Sequence, residues 1–187
     1  MKDRIGEKPA PDRLRVVQAF LNTATSGRED FASPDCLHEW LTDHDLLDAD
    51  ATVSAADLRQ AISVRQALVQ LAIARQEDRS DANAIEILNR AARSAQMSVS
   101  FGLGGRASIA PLAPAVDGAL GKIIAIVVDA MADGTWDRFK ICRDPGCSWA
   151  FYDRSKNHSG TWCDITSCGN LAKARTYRAR HAHRLAR

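Results

Sequence analysis

The chain has 187 residues, 45% of them hydrophobic, and a net charge of +2. That length suits one ordinary domain plus a small one, with enough apolar content for a real core. The start, Met1-Lys2-Asp3-Arg4, is charged, and the longest apolar run, Ile123 to Ala132, is short and broken by Asp129. A secretory signal and a membrane span are therefore not expected, and a cytoplasmic protein is.

Four or five amphipathic helices are expected before the cysteines of the last part. Arg13 to Thr23 places Leu14, Val17, Phe20 and Leu21 at helical spacing. Ser33-Pro34 reads as an N-cap with proline at the first helical position, opening a helix with Leu37, Trp40 and Leu41 on one side. Cys36, with no near partner, reads as a small buried residue. Ser54-Ala55-Ala56-Asp57 resembles a capping box and starts a long helix. Asp81 opens another, and Leu120 to Met131 gives a broadly apolar one that Gly134 stops. Between these last two, Met97, Val99, Phe101 and Leu103 alternate with Ser98, Ser100 and Gly102, which is a strand period. Gly104-Gly105 turns this strand back into Ala107-Ser108-Ile109, so a small hairpin among helices is expected.

Enzyme signatures fail along this stretch. His38-Glu39 with His44 lacks zincin spacing, because residues six apart lie about 240° apart on a helix. Gly102-x-Gly104-x-x-Ala107 is a loose dinucleotide fingerprint, but Pro111 and Pro114 stand where its helix should run. Asp43, Asp45, Asp48 and Asp50 read as a solvated helix end. The chain is expected not to be an enzyme.

The last part carries C-x4-C-x15-C-x4-C: Cys142, Cys147, Cys163 and Cys168. Two short-spaced pairs joined by a hairpin-length gap suit a tetrahedral zinc ion held by four thiolates. A closed shell of this kind is structural rather than catalytic. Phe139-Lys140-Ile141 and Trp149 to Tyr152 should form strands, and a helix should run from Cys168 to about Leu185. Trp149 and Trp162 should cover the metal site. The boundary falls at Asp133 to Thr135, dividing the chain into 1–134 and 135–187. Residues 135–187 hold 11 Lys and Arg against 4 acids, a net +7, while 1–134 carry −5. Such asymmetry implies two tasks.

On the terminal helix, Lys173, Arg180, Arg184 and Arg187 fall within a sector of about 60°, with Arg175 and Arg178 flanking an apolar stripe. A basic helix beside a zinc knuckle suits DNA, through a groove or the phosphates. The loop Arg154-Ser155-Lys156-Asn157-His158 adds donors for phosphates and base edges. The expected DNA contacts are thus Arg154, Lys156, Asn157, His158, Lys173, Arg175, Arg178, Arg180 and Arg184, of which Asn157 and His158 suit base edges.

Cys142 to Cys147, Trp149-x-Phe151-x-Asp153, Ser155-Lys156-Asn157, Trp162-Cys163 and Cys168-Gly169-Asn170 with Lys173 together resemble the CGNR zinc finger. That finger ends bacterial proteins whose N-terminal part is an ABATE domain, grouped as stress-induced transcription regulators. Phe20-Leu21-Asn22-Thr23 with Gly27-Arg28, and Leu37-x-x-Trp40-Leu41 with Leu46-Leu47, resemble that domain. Leu171 stands where the motif name has arginine, and Gly160-Thr161 replaces a basic pair. The resemblance implies a mainly α fold with a small β-hairpin: a helical N-terminal domain followed by a small α+β zinc finger, treble-clef-like or zinc-ribbon-like. It implies a DNA-binding finger and an N-terminal domain that senses a ligand or a partner.

The expected function is zinc-dependent, DNA-binding transcription regulation. The alternative is a protein–protein adaptor whose finger is a structural clip and whose basic helix docks an acidic partner. Because a single finger has a small footprint, a homodimer through the helical domain is also expected.

Overall fold

The computed structural model describes residues 8–185, and side chains as far as Arg178. The start of the chain and the side chains of Arg180, Arg184 and Arg187 lie outside the described residues.

Helix α1 (Leu14–Leu21) buries Leu14, Val17, Phe20 and Leu21, as its periodicity predicts. A short hairpin follows, β1 (Ala24–Thr25) with β2 (Arg28–Glu29), which the sequence reading did not separate from its surroundings. Helix α2 (Pro34–Asp43) starts as expected, with Ser33 Oγ accepting the Cys36 N–H at 3.3 Å. Cys36 itself is half-buried rather than buried, because it lies in this first turn with its Sγ 3.3 Å from Ser33 Oγ.

Helix α3 (Ala55–Gln76) opens with the full capping box. Ser54 Oγ accepts the Asp57 N–H at 3.2 Å, and Asp57 accepts the Ser54 N–H at 2.8 Å. Asp81 caps α4 (Ala82–Ser94) by accepting the Ala84 N–H at 2.9 Å. The predicted hairpin is β3 (Met97–Phe101) with β4 (Ala107–Pro111), paired Met97 to Pro111 and Val99 to Ile109. Helix α5 (Ala115–Ala132) then runs through the centre of the core, with Leu120, Ile123, Ile124 and Val127 all buried. A side chain at Gly121 would lie 2.6 Å from Pro111 Cβ and 2.7 Å from Ala95 Cβ, so the hairpin base reaches α5 only because this residue is glycine.

After a 3-10 turn (Thr135–Arg138) come β5 (Phe139–Ile141) and β6 (Ala150–Tyr152), then a π turn (Ile165–Gly169) and α6 (Asn170–Leu185). The finger is thus a short hairpin followed by a helix, with the first cysteine pair between its two strands. The fold is mainly α with small antiparallel hairpins. Among the described residues no helix is long and apolar enough to cross a membrane.

One buried cation organises the middle of the helical part. Arg65 of α3 is 2% exposed, donates to Thr23 Oγ1 at 2.8 Å and pairs with Glu29 on β2. Its guanidinium also lies 5.1 Å from the Phe31 ring. The Arg65 hydrogen bond outweighs burial and holds the Glu29 carboxyl below its ordinary range.

The finger hairpin shares the helical core. Phe139, Ile141, Ala150 and Tyr152 pack with α1, α3 and α5, whereas Phe151 faces the other way, into a cluster with Cys142, Trp149, Cys163 and Cys168. Strand alternation divides the two layers. The outward backbone groups of this hairpin are taken by side-chain amides. Asn22, the C-cap of α1, donates to the Ala150 carbonyl (3.0 Å), which Gln18 of α1 also reaches (3.1 Å), and accepts the Ala150 N–H (2.7 Å). Gln76 of α3 does the same for Ile141, at 3.1 and 2.7 Å. The Tyr152 N–H donates to the Lys8 carbonyl at 3.1 Å, and Arg75 donates to the Phe139 carbonyl at 2.7 Å. Both hairpin edges are thereby closed without further strands.

Candidate metal centre and nucleic-acid interface

Three of the four cysteines lie in loops and the fourth in the π turn. Cys142 follows β5, Cys147 closes the knuckle turn, Cys163 follows Trp162, and Cys168 lies in the π turn that leads into α6. Their sulfurs all lie within 4.8 Å of one another, and all are free thiols. Cys147 Sγ is 3.5 Å from Cys163 Sγ, which in turn is 3.7 Å from Cys168 Sγ. Sulfurs at the corners of a tetrahedron with metal–sulfur bonds of about 2.3 Å lie about 3.8 Å apart. A disulfide needs about 2.05 Å. The cluster therefore fits a tetrahedral ion such as zinc.

Without an ion the four sulfurs cannot all be charged. Hydrogen bonds from Cys147 and Cys163 pull the Cys142 thiol down, and the same contacts hold the proton on Cys147 and Cys163, pushing both up. A divalent ion, when bound, would displace those protons and offset two of the four thiolate charges. Trp149 and Trp162 pack against the sulfurs, as expected. The Asp164 side chain accepts the Thr166 N–H at 2.7 Å and fixes the π turn that carries Cys168. The Asn170 side-chain amide donates to the Thr166 carbonyl at 2.9 Å.

The loop between the second strand and the second cysteine pair is held from beneath. Lys140 Nζ pairs with Asp153 at 2.7 Å and donates to the carbonyls of His158 and Gly160. Asp153 accepts the N–H groups of Ser155 (2.9 Å) and Gly160 (2.7 Å). A side chain at Gly160 would lie 2.6 Å from the Asp153 carboxylate. Burial acts against ionisation of Asp153, but the Lys140 and backbone donors outweigh it and hold its carboxyl well below the usual range. Neither Lys140 nor Asp153 was among the residues singled out for a site.

The cations of the finger divide into two sets. Arg138 donates to the Asp153 and Ser155 carbonyls, and Arg143 to that of Gln76. Arg154 donates to the Pro9 carbonyl at 3.0 Å and lies 5.8 Å from the Tyr152 ring. Arg175 pairs with Asp144 at 2.8 Å, tying α6 to the first knuckle. Lys156, Asn157, His158, Lys173 and Arg178 are exposed, and no side-chain partner is found for them among the described residues. Internal pairing of Arg154 and Arg175 depends on residues far away in sequence, so helical spacing could not reveal it.

No curated protein matches the chain significantly. Residues 138–181 match the CGNR zinc finger. Residues 14–134 match the ABATE family, described as "Putative stress-induced transcription regulator". The chain therefore belongs to the ABATE family and carries a CGNR zinc finger at its C-terminal end.

Proposed function

We propose that this protein is a zinc-dependent, DNA-binding transcription regulator. In this reading the four thiolates hold one zinc ion and the finger built around it contacts duplex DNA. The helical part receives a ligand or partner and passes its state to the finger.

The observation that supports this best is the division of the finger's cations. Arg138, Arg143, Arg154 and Arg175 bond internally, whereas Lys156, Lys173 and Arg178 are exposed to solvent. Exposed cations on a rigid frame are what phosphate contact needs. Asn157 and His158, exposed on the loop clamped by Lys140 and Asp153, are suited to base edges. The amide clips of Asn22 and Gln76 give the helical part a direct hold on the finger strands.

The test is anisotropy of a labelled generic duplex with zinc-loaded protein. Three phosphate contacts contribute a slope of about −2.7 in log K against log salt, and basic residues further along α6 steepen it. A salt-independent curve would contradict DNA binding. Binding to an acidic polypeptide but not to duplex would favour the adaptor.

A further inference from the structure

The two larger hairpins of this chain are finished differently. Helices and side-chain amides cover the β5–β6 hairpin, but the β3–β4 hairpin leaves apolar side chains in solvent. Val99 and Phe101 are 58% and 80% exposed, Leu103 in the turn is 105% exposed, and Leu112 at the base is 69% exposed. The register sets Val99 opposite Ile109 and Phe101 opposite Ala107, so these four residues share one face. The other face carries Ser98, Ser100, Ser108 and Ala110, with the Ser100 and Ser108 hydroxyls 2.9 Å apart.

We propose that two copies of the chain pack through this apolar hairpin face about a two-fold axis. Area favours such a pair. On this face and its turn, Val99, Phe101, Leu103, Ala107 and Ile109 together present on the order of 500 Å², within the range of the largest apolar patch of an ordinary monomer. Covering that patch on two copies removes about 1,000 Å², the threshold for a specific interface. Charge selects the occupant. Between Met97 and Leu112 the only charged residue is Arg106, in the turn, so the face meets its own copy without like charges in its middle. A lipid surface would call for a collar of cations, and a polyanion for more than one.

The hairpin is also fixed in place. Pro111 rests against Gly121 of α5, and the Ala95 carbonyl accepts the N–H groups of Leu112 and Ala113, each at 3.2 Å. A rigid surface loses little freedom on pairing, which lowers the cost of association. The inference stands on this hairpin and not on what the finger binds.

Sedimentation equilibrium of the full, zinc-loaded chain over roughly 1–100 µM is the test. A concentration-dependent dimer is expected. Val99→Ser combined with Phe101→Ser should raise its dissociation constant at least about 30-fold, with zinc content and far-UV circular dichroism unchanged. Should that variant lose helical signal, Leu103→Ser at the solvent-exposed turn must still weaken the dimer. A monomer throughout the range overturns the proposal, as does a dimer indifferent to these substitutions. So does a monomer that cosediments with neutral phosphatidylcholine vesicles, which would assign the face to lipid. A dimer without affinity for duplex leaves it intact, whereas a DNA-binding monomer ends it.

Discussion

Asp153→Ala removes the one carboxylate beside an ammonium group that the fold keeps largely from water. The Lys140 and Asp153 side chains are 10% and 3% exposed and 2.7 Å apart. Breaking such a pair from one side costs about 3–5 kcal/mol, because the remaining charge stays buried without its counter-ion. The His158 and Gly160 carbonyls still accept from Lys140 and offset part of this, while the Ser155 and Gly160 N–H groups lose their acceptor. The balance should be a loss of about 4 kcal/mol, a large share of the 5–15 kcal/mol that holds a typical domain together. Urea unfolding of zinc-loaded protein, followed by circular dichroism, reads this directly. With a slope of about 2 kcal/mol/M the midpoint should fall by about 2 M. Lys140→Met should also destabilise, and the double variant should lose less than the two single losses combined. A loss below about 1 kcal/mol for Asp153→Ala would refute the reasoning, since only an exposed pair is worth so little. The pH dependence carries a definite sign. The folded Asp153 carboxyl lies below its unfolded value, so its contribution is present above about pH 4 and is lost as acid protonates the folded form.

Further outcomes follow from other contacts. Asn22→Leu leaves the Ala150 N–H unpaired, while the Ala150 carbonyl keeps its Gln18 donor, and should cost about 1–3 kcal/mol, measured by the same unfolding assay. Lys173→Gln should reduce the salt slope of duplex binding by about 0.9 without changing stability. Arg175→Gln, in contrast, should disturb the knuckle, seen as faster zinc loss to a chelator, because it frees Asp144. Zinc affinity should weaken as pH falls, with at least about two protons released per ion bound, because Cys147 and Cys163 keep theirs in the metal-free cluster. Isothermal titration in buffers of different ionisation enthalpy counts those protons.

Much of the fold is legible in the sequence because its signals are local. Ser33-Pro34, the Ser54 to Asp57 box and Asp81 mark helix starts within four residues, and each caps the helix it predicts. The alternation from Met97 to Phe101 gives the hairpin, and the spacing of Cys142, Cys147, Cys163 and Cys168 gives the sulfur cluster. What sequence could not give is pairing at long range. Lys140 looks like one more finger cation until Asp153 is found beneath it. Arg175 flanks the apolar stripe of its helix and is an expected DNA contact, yet its partner Asp144 is 31 residues away. Asn22 and Gln76 carry no local sign of their role, since the strand edges they close are 128 and 65 residues distant. The short β1–β2 hairpin has too few residues for any period to show.

The metal content of untagged protein, purified under reducing conditions, bears most directly on the central claim that a single ion gripped by four thiolates builds the finger. One zinc per chain, with four thiols that react with a disulfide reagent only after chelation, is the expected result. Less than about a tenth of an equivalent of zinc, with the same thiols reactive from the start or already crosslinked, would contradict it.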